Sequence, residues 1–211
     1  TCALPILVVS ETLLNIIMKH ISPKKSLGQH FLTNPHVAKA MVKTANITRN
    51  DIVFEIGPGT GMLTSFLLQT DARVIALEAD ARAIATLEER FSDEIAHKQL
   101  LLHHGDIRDT DLETLSLQDG TFKVVANIPY YLSGMLFETL LGGSIQPKTI
   151  VFLVQKEVAQ RIVKDKKESL LSLSVKLYGT PRYIQTVTRG NFTPPPKVDS
   201  AIIAIEDISR E

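Results

Sequence analysis

The chain is nearly free of cysteine, with Cys2 the only one among 211 residues. A disulfide framework is therefore excluded, and so is any zinc site built on cysteine. It also lacks an excess of either charge, because 23 Lys and Arg balance 23 Asp and Glu. A protein that grips nucleic acid through overall basicity is not indicated, so any such contact rests on local patches. No apolar run is long enough to span a bilayer. There is no internal repeat, heptad run or low-complexity tract, and no linker divides two large domains. The remaining composition, 44% hydrophobic and 22% charged, is that of an ordinary soluble protein with one well-buried α/β domain.

Two more absences concern the glycine turn Gly57-Pro58-Gly59-Thr60-Gly61. It lacks the third glycine at the spacing of the dinucleotide fingerprint, and no Gly-Lys-Ser/Thr follows it. NAD and ATP are both disfavoured. The turn nevertheless follows an apolar strand, Asp51 to Ile56, and leads into a helix through Met62, Leu63, Phe66 and Leu67. Strand, glycine turn and helix together make a nucleotide-type cradle, in which glycine lets the backbone approach a ligand closely.

Further strands are predicted over Arg73 to Leu77, ending in Glu78, and over Gln99 to His103, closed by Gly105-Asp106-Ile107. Phe122 to Ala126 and Thr149 to Val154 follow. Their alternation with helices predicts a largely parallel, doubly wound sheet. Tyr183 to Thr188 and Ser200 to Glu206 predict an antiparallel edge hairpin. Asn34-Pro35 starts a helix, Asp80 caps the one carrying Ala83, Ile84 and Leu87, and Ser133 caps the one running through Leu136 to Leu141. Helices are also expected over Gln155 to Val163 and Leu170 to Tyr178.

The chemistry gathers at Asn127-Ile128-Pro129-Tyr130, at the carboxyl end of a predicted strand. Ligands bind at such ends in open α/β sheets. An amide oxygen and a carbonyl before or at the proline can accept both hydrogens of an exocyclic amine. The tyrosine ring offers a stacking face, a contribution of roughly 1–3 kcal/mol per base. The alternative is a strand end followed by a turn. Glu78, about 20 positions past the glycine turn, is placed to accept both hydroxyls of a ribose. Asp106 is suited to accept from an adenine amine. His103 and His104 read as strand-end residues, and no metal site is predicted. Three prolines stiffen the loop from Asn191 to Lys197 and pin Phe192 as a second stacking face, or else as core. Two basic clusters could meet RNA or simply be solvated: Lys24 with Lys25, and Arg161, Lys164, Lys166 and Lys167.

In this order the stretches resemble the small-subunit ribosomal RNA adenine dimethyltransferase family of the KsgA type. The matching pieces are Gly28-Gln29-His30-Phe31-Leu32, Glu55 to Gly61, Glu78-Ala79-Asp80, Gly105-Asp106-Ile107, Asn127 to Tyr131, Val154 to Ala159 and Phe192 to Ala201. The resemblance implies a class I S-adenosylmethionine (SAM)-dependent methyltransferase fold: α/β, Rossmann-like, a mixed seven-stranded sheet with helices on both faces. It implies SAM as cofactor and, as substrate, two adjacent adenines near the 3′ end of small-subunit rRNA. Each is dimethylated during ribosome biogenesis, by a cytoplasmic, monomeric enzyme without metal or membrane partner.

By position, the resemblance assigns His30 and Leu32 to a loop covering SAM. Asn is frequent where His30 stands, so that contact goes through backbone. Gly57 and Gly59 approach the methionine part, Glu78 takes the ribose, and Asp106 and Ile107 frame the cofactor adenine. Asn127 contacts both SAM and the target amine, with the Pro129 carbonyl as second acceptor. Tyr130 and Phe192 stack on the flipped base, and Lys197 joins the RNA-facing lysines. Two departures stand out: the family's small C-terminal helical domain is absent, and no glycine precedes the helix at Leu170. Residues 1–17 are expected to be a non-native extension, because Thr1 to Ile6 reads like a translated sequencing-adapter end, and Met18 to be the natural start of the catalytic domain, 18–211. The nearest alternative is the Erm type, which modifies large-subunit rRNA. Another is a non-catalytic RNA-binding protein on the same fold, disfavoured by intact Glu78, Asp106 and Asn127.

Overall fold

Short runs of β-branched and aromatic residues alternate with amphipathic stretches along the chain, and the fold follows that alternation. The structure is a computed structural model that describes residues 23–24, 28–164 and 169–210. The expectations for residues 1–17 and for Met18 fall outside that range, as do Lys25, Lys166 and Lys167.

The strands are β1 (Phe31–Leu32), β2 (Ile52–Ile56), β3 (Arg73–Glu78), β4 (Leu100–His104), β5 (Phe122–Asn127), β6 (Thr149–Gln155), β7 (Thr180–Val187), β8 (Phe192–Thr193) and β9 (Ser200–Glu206). The helices are α1 (Pro35–Thr44), α2 (Met62–Leu68), α3 (Ala81–Arg90), α4 (Ser92–Ala96), α5 (Ser133–Gly142), α6 (Lys156–Val163) and α7 (Leu170–Tyr178). Among the described residues, seven strands form one mixed sheet in the order β4-β3-β2-β5-β6-β9-β7. β2 to β6 run parallel, whereas β9 lies antiparallel to both β6 and β7. From β2 the chain winds outward through β3 to β4, then returns to β5 on β2's other side. The strand order therefore reverses between β2 and β5, where an open α/β sheet leaves a crevice at the carboxyl ends.

Side chains alternate across the sheet and divide it into two cores. Phe54, Ile75, Phe122, Val124, Ile150, Phe152 and Ile203 face α5, α6 and α7. Val53, Val74, Val125, Val151, Leu153 and Ile202 face α1 and α2. With both faces covered, the central strands are apolar throughout, which is why they read as continuous runs.

Caps follow the expected chemistry at two helices. Asn34 accepts from the His36 amide at 2.9 Å, and Asp80 accepts from the Arg82 amide at 3.2 Å. Ser133 departs from expectation: it is the first residue of α5, with no capping bond, and its hydroxyl donates to the Tyr130 carbonyl at 3.0 Å. A 3-10 turn over Tyr130–Leu132 runs straight into α5, so no extended residue is left to act as cap. β7 begins at Thr180, earlier than the sequence predicts. Pro181 concealed that extension, yet proline is tolerated on an edge strand, where one row of amides faces solvent.

Gly61 sets the angle at which α2 leaves the glycine turn. Its φ is +75°, and a Cβ there would lie 2.7 Å from the Phe91 ring and 2.8 Å from Leu87. Gly61→Ala combines a left-handed backbone penalty with overpacking, so a loss of roughly 2–4 kcal/mol in urea unfolding is expected.

Candidate active site

A cavity opens where β2 and β5 end. Its walls come from the glycine turn, the ends of β3 and β4, residues 127–132 and the segment 28–32. Gly57 has φ +67°, and a Cβ built there meets nothing within 4 Å. The backbone thus borders open space inside the cavity. Gly59 is different: its Cβ would come within 3.1 Å of the Phe31 ring, and its φ is +56°. Across the mouth, a Cβ on Gly28 would lie 3.1 Å from Tyr131, again at positive φ, +58°. The segment 28–32 thereby roofs the cavity, and β1 within it pairs antiparallel with β8.

Glu78 stands at the end of β3 and is buried. One carboxylate oxygen accepts the Gly59 amide at 2.9 Å, and the other accepts the Asp80 amide at 2.8 Å. Each oxygen keeps a lone pair for a further donor such as a hydroxyl. Burial raises its pKa, and the two amides pull it back. Asp80 is instead held well below the usual carboxylate range, chiefly by Arg82 at 2.6 Å. Gln29 and Lys24 reach the same carboxylate at 3.3 and 3.4 Å, tying the roof to α3. Asp106 is bonded three times by Arg108, including 2.6 Å to the guanidinium, which lowers its pKa. A ligand amine at Asp106 must share that carboxylate with Arg108.

Asn127 ends β5. Its Nδ2 donates to the His30 carbonyl at 3.1 Å. A carbonyl can only accept, so this bond fixes which way the amide faces and leaves Oδ1 as an acceptor. The Pro129 carbonyl accepts the Leu132 amide at 3.0 Å, within the 3-10 turn. No donor meets the Ile128 carbonyl among the described residues, and Ile128 also lines the cavity.

The profile described as ribosomal RNA adenine dimethylase matches residues 21–211. The chain belongs to that family. It is 41% identical over 186 residues to ribosomal RNA small subunit methyltransferase A of Dehalococcoides mccartyi (strain CBDB1), covering 88% of this chain and 63% of that one. A ribosomal RNA small subunit methyltransferase of Arabidopsis thaliana is 38% identical, over 88% of this chain and 52% of its own. The chain thus spans between about half and two thirds of the length of these relatives. Among solved structures, a dimethyladenosine transferase from Plasmodium falciparum superposes with a TM-score of 0.73 at 35% identity, covering 84% of this chain and 63% of that one. The 23S rRNA methyltransferase ErmE superposes at 0.74 and 26% identity, over 85% and 70%. The fold is that of class I SAM-dependent methyltransferases, with the expected seven-stranded mixed sheet.

His30, Leu32, Gly57, Gly59, Glu78, Asp106, Ile107, Asn127, Pro129 and Tyr130 all line this cavity. Phe192 does not, contrary to expectation. It is 3% exposed and packs in the second core with Leu32, Leu153 and Ile202. Pairing of Leu32 with Phe192 fixes the strand so that Phe192 turns inward and Thr193 outward. Arg161 and Lys197 are exposed, Lys164 sits 4.3 Å above the Tyr183 ring, and Lys24 is engaged with Asp80. Among the described residues, no cluster of His, Cys, Asp or Glu could hold a metal ion.

Sequence reasoning passed over Glu55, although an acid inside the apolar run Ile52 to Ile56 is a visible signal. It is 1% exposed, lines the cavity floor, and neither carboxylate oxygen has a hydrogen-bond partner. Burial, with Glu78's charge added, pushes it up to about 8, although Thr64, beside it but outside good hydrogen-bond geometry, and Arg90 pull the other way. Because the folded value lies above the unfolded one, the stability this carboxyl contributes is full below about pH 4.5 and is lost as pH climbs toward about 8. Glu55→Gln is therefore expected to come nearest the wild type in urea at pH 4 and to exceed it at pH 8.5, by on the order of a few kcal/mol. Parallel stability curves for the two proteins would count against a buried, protonated Glu55.

Proposed function

We propose that this chain transfers methyl groups from SAM to the exocyclic amine of adenines in ribosomal RNA. The finer reading is dimethylation of two adjacent adenines near the 3′ end of small-subunit rRNA, during subunit assembly in the cytoplasm. The observation that carries it is the joining of two halves in one cavity: an adenosine-type cradle at Gly57 and Glu78, and an amide at Asn127 held with its oxygen free. The names of the relatives, small subunit methyltransferase and dimethyladenosine transferase, support the substrate.

The residues present fit SAM. Gly57 borders the open space, Glu78 has lone pairs for ribose hydroxyls, and Ile107 and Asp106 flank the place for its adenine. When bound, SAM supplies an electrophilic methyl group on a sulfonium. An adenine amine is a weak nucleophile because its lone pair is delocalised into the ring. Asn127 Oδ1 accepts one amine hydrogen. The carbonyl of Ile128 or of Pro129 takes the other: that of Ile128 meets no donor among the described residues, and that of Pro129 keeps a lone pair beside the Leu132 amide. Two acceptors at a fixed angle favour a pyramidal nitrogen and aim its lone pair along the line of displacement. Holding that near-attack arrangement supplies most of the rate. The target base leaves its stack to reach the cavity, and Tyr130 receives one of its faces. Its hydroxyl is 2.7 Å from Ser200 Oγ, which keeps the ring from turning.

The test is methyl transfer from labelled SAM to immature small ribosomal subunits, followed by mapping of the modified bases. Label on paired adenines near the 3′ end of the small-subunit rRNA is expected. Label in large-subunit rRNA instead would favour the Erm-type reading, which the ErmE superposition also accommodates.

A further inference from the structure

Charge is balanced over the whole chain but not along it. The 33 residues from 18 to 50 hold six Lys and Arg and no Asp or Glu. Helix α1 lies in that stretch and packs against α2, and residues 62–70, α2 and its exit, carry no acid either. Both helices start at the cavity, α1 three residues beyond Leu32 of the roof and α2 directly after the glycine turn. A groove runs between them, lined by Lys39, Val42, Lys43, Phe66, Gln69 and Thr70. Lys39 and Lys43 are exposed and four residues apart, so they share one helix face. At the helical rise they lie about 6 and 12 Å down α1 from Pro35. The Lys39 ammonium is 5.5 Å from the centre of the Phe66 ring, a contact that orients the charge without neutralising it. Among the described residues neither lysine meets a carboxylate, whereas Lys24 and Lys123 each do. Asp71 follows Thr70 in sequence but does not line the groove.

We propose that this groove is a second RNA contact, in which Lys39 and Lys43 hold the phosphate backbone of the rRNA beside the nucleotide that enters the cavity. This rests on the ribosomal RNA reading above and deepens it. Two unpaired ammonium groups one helical turn apart suit a polyanion, and the apolar floor of Val42 and Phe66 can take a sugar between its phosphates. Phosphate contacts fix the register of a nucleic acid without reading its sequence, while contacts to the base specify it. The groove does the first and the cavity the second. A chain of zero net charge has no overall field to gather RNA, so a local acid-free face has to supply the attraction. None of the six groove residues lines the cavity, so the groove acts on RNA binding and leaves the cofactor alone.

The experiment uses the full chain with three variants: Lys39→Gln with Lys43→Gln, Lys43→Gln alone, and Lys39→Arg with Lys43→Arg. Lys98→Gln with Lys148→Gln, both exposed and at the amino ends of β4 and β6 away from the cavity, controls for net charge. Binding to immature small subunits and to protein-free small-subunit rRNA is measured between about 50 and 200 mM salt, with SAM affinity by calorimetry. Each phosphate contact adds about 0.7–0.9 to the slope of log affinity against log salt, which at about 0.1 M salt is roughly 5- to 8-fold in affinity. The double glutamine variant should therefore bind both RNAs roughly 25- to 60-fold more weakly, with a slope shallower by about 1.4–1.8. Lys43→Gln alone, which leaves the Phe66 contact in place, should lose about half of that slope. The arginine pair and the control pair should bind like wild type, and SAM affinity should not change in any of them. Wild-type affinity and slope in the double glutamine variant, or an equal loss in the control pair, would overturn the proposal. So would a loss on subunits that disappears on protein-free rRNA, which would put a ribosomal protein in the groove. A wild-type protein that neither binds nor labels the rRNA would fail differently: it would remove the ribosomal RNA reading itself, and the groove's role with it.

Discussion

Asn127→Ala is expected to lower methyl transfer at least roughly 10²- to 10³-fold, the scale seen when one preorganised polar group is removed from a reacting centre. The loss should appear in kcat, because the amide oxygen matters most when the amine nitrogen becomes pyramidal. The fold should survive. Asn127 is half-buried, and its described side-chain bond is the one to the His30 carbonyl at 3.1 Å. Losing such a bond costs about 1 kcal/mol. Circular dichroism and urea unfolding separate the two effects. Turnover close to wild type in a folded variant would remove Asn127 from the chemistry and the proposed mechanism with it.

Glu78→Ala should act one step earlier, on the cofactor. Two ribose hydroxyls lose a charged acceptor, each such bond being worth about 1.5–3 kcal/mol. SAM affinity should fall by at least roughly 10²-fold, read by calorimetry. The variant also strips the acceptor from the Gly59 and Asp80 amides, so the glycine turn loses a tie to β3 and stability drops as well. Acidification should imitate the substitution. Burial raises the Glu78 pKa, so the carboxylate is lost at a higher pH than for a free glutamate, and SAM binding weakens as pH falls through that range. Unchanged SAM affinity in Glu78→Ala would undo the assignment of the cradle.

Much of this fold was legible because its signals are local. Central strands covered on both faces are short apolar runs, and β2, β3 and β5 end in or before a glycine, an acid or an asparagine that marks the end. The predicted bounds of α7 agree with the structure, and the strand ends at Ile56, Glu78 and Asn127 fall where the motifs placed them or one residue beyond. What escaped was non-local. The pairing of Phe31–Leu32 with Phe192–Thr193 leaves no periodic signal in two-residue strands, yet it decides that Phe192 faces the core. The Pro129 carbonyl also accepts the Leu132 amide, in a turn that only the conformation of Tyr130–Leu132 creates. His30 was assigned to the cofactor through its backbone, and its ring contact to Tyr130 depends on how the roof closes. The pairing of Arg108 with Asp106, two residues apart, is fixed by turn geometry and leaves no signal in the sequence.

The two-stranded pairing of Phe31–Leu32 with Phe192–Thr193 has a bearing on biosynthesis. The halves of that pairing leave the ribosome about 160 residues apart, the earlier one long before its mate. Until Thr193 clears the exit tunnel, a nascent chain can assemble β2 to β6 but cannot fasten the lid across them. A growing polypeptide therefore lacks this tie across the cavity until synthesis has passed Thr193.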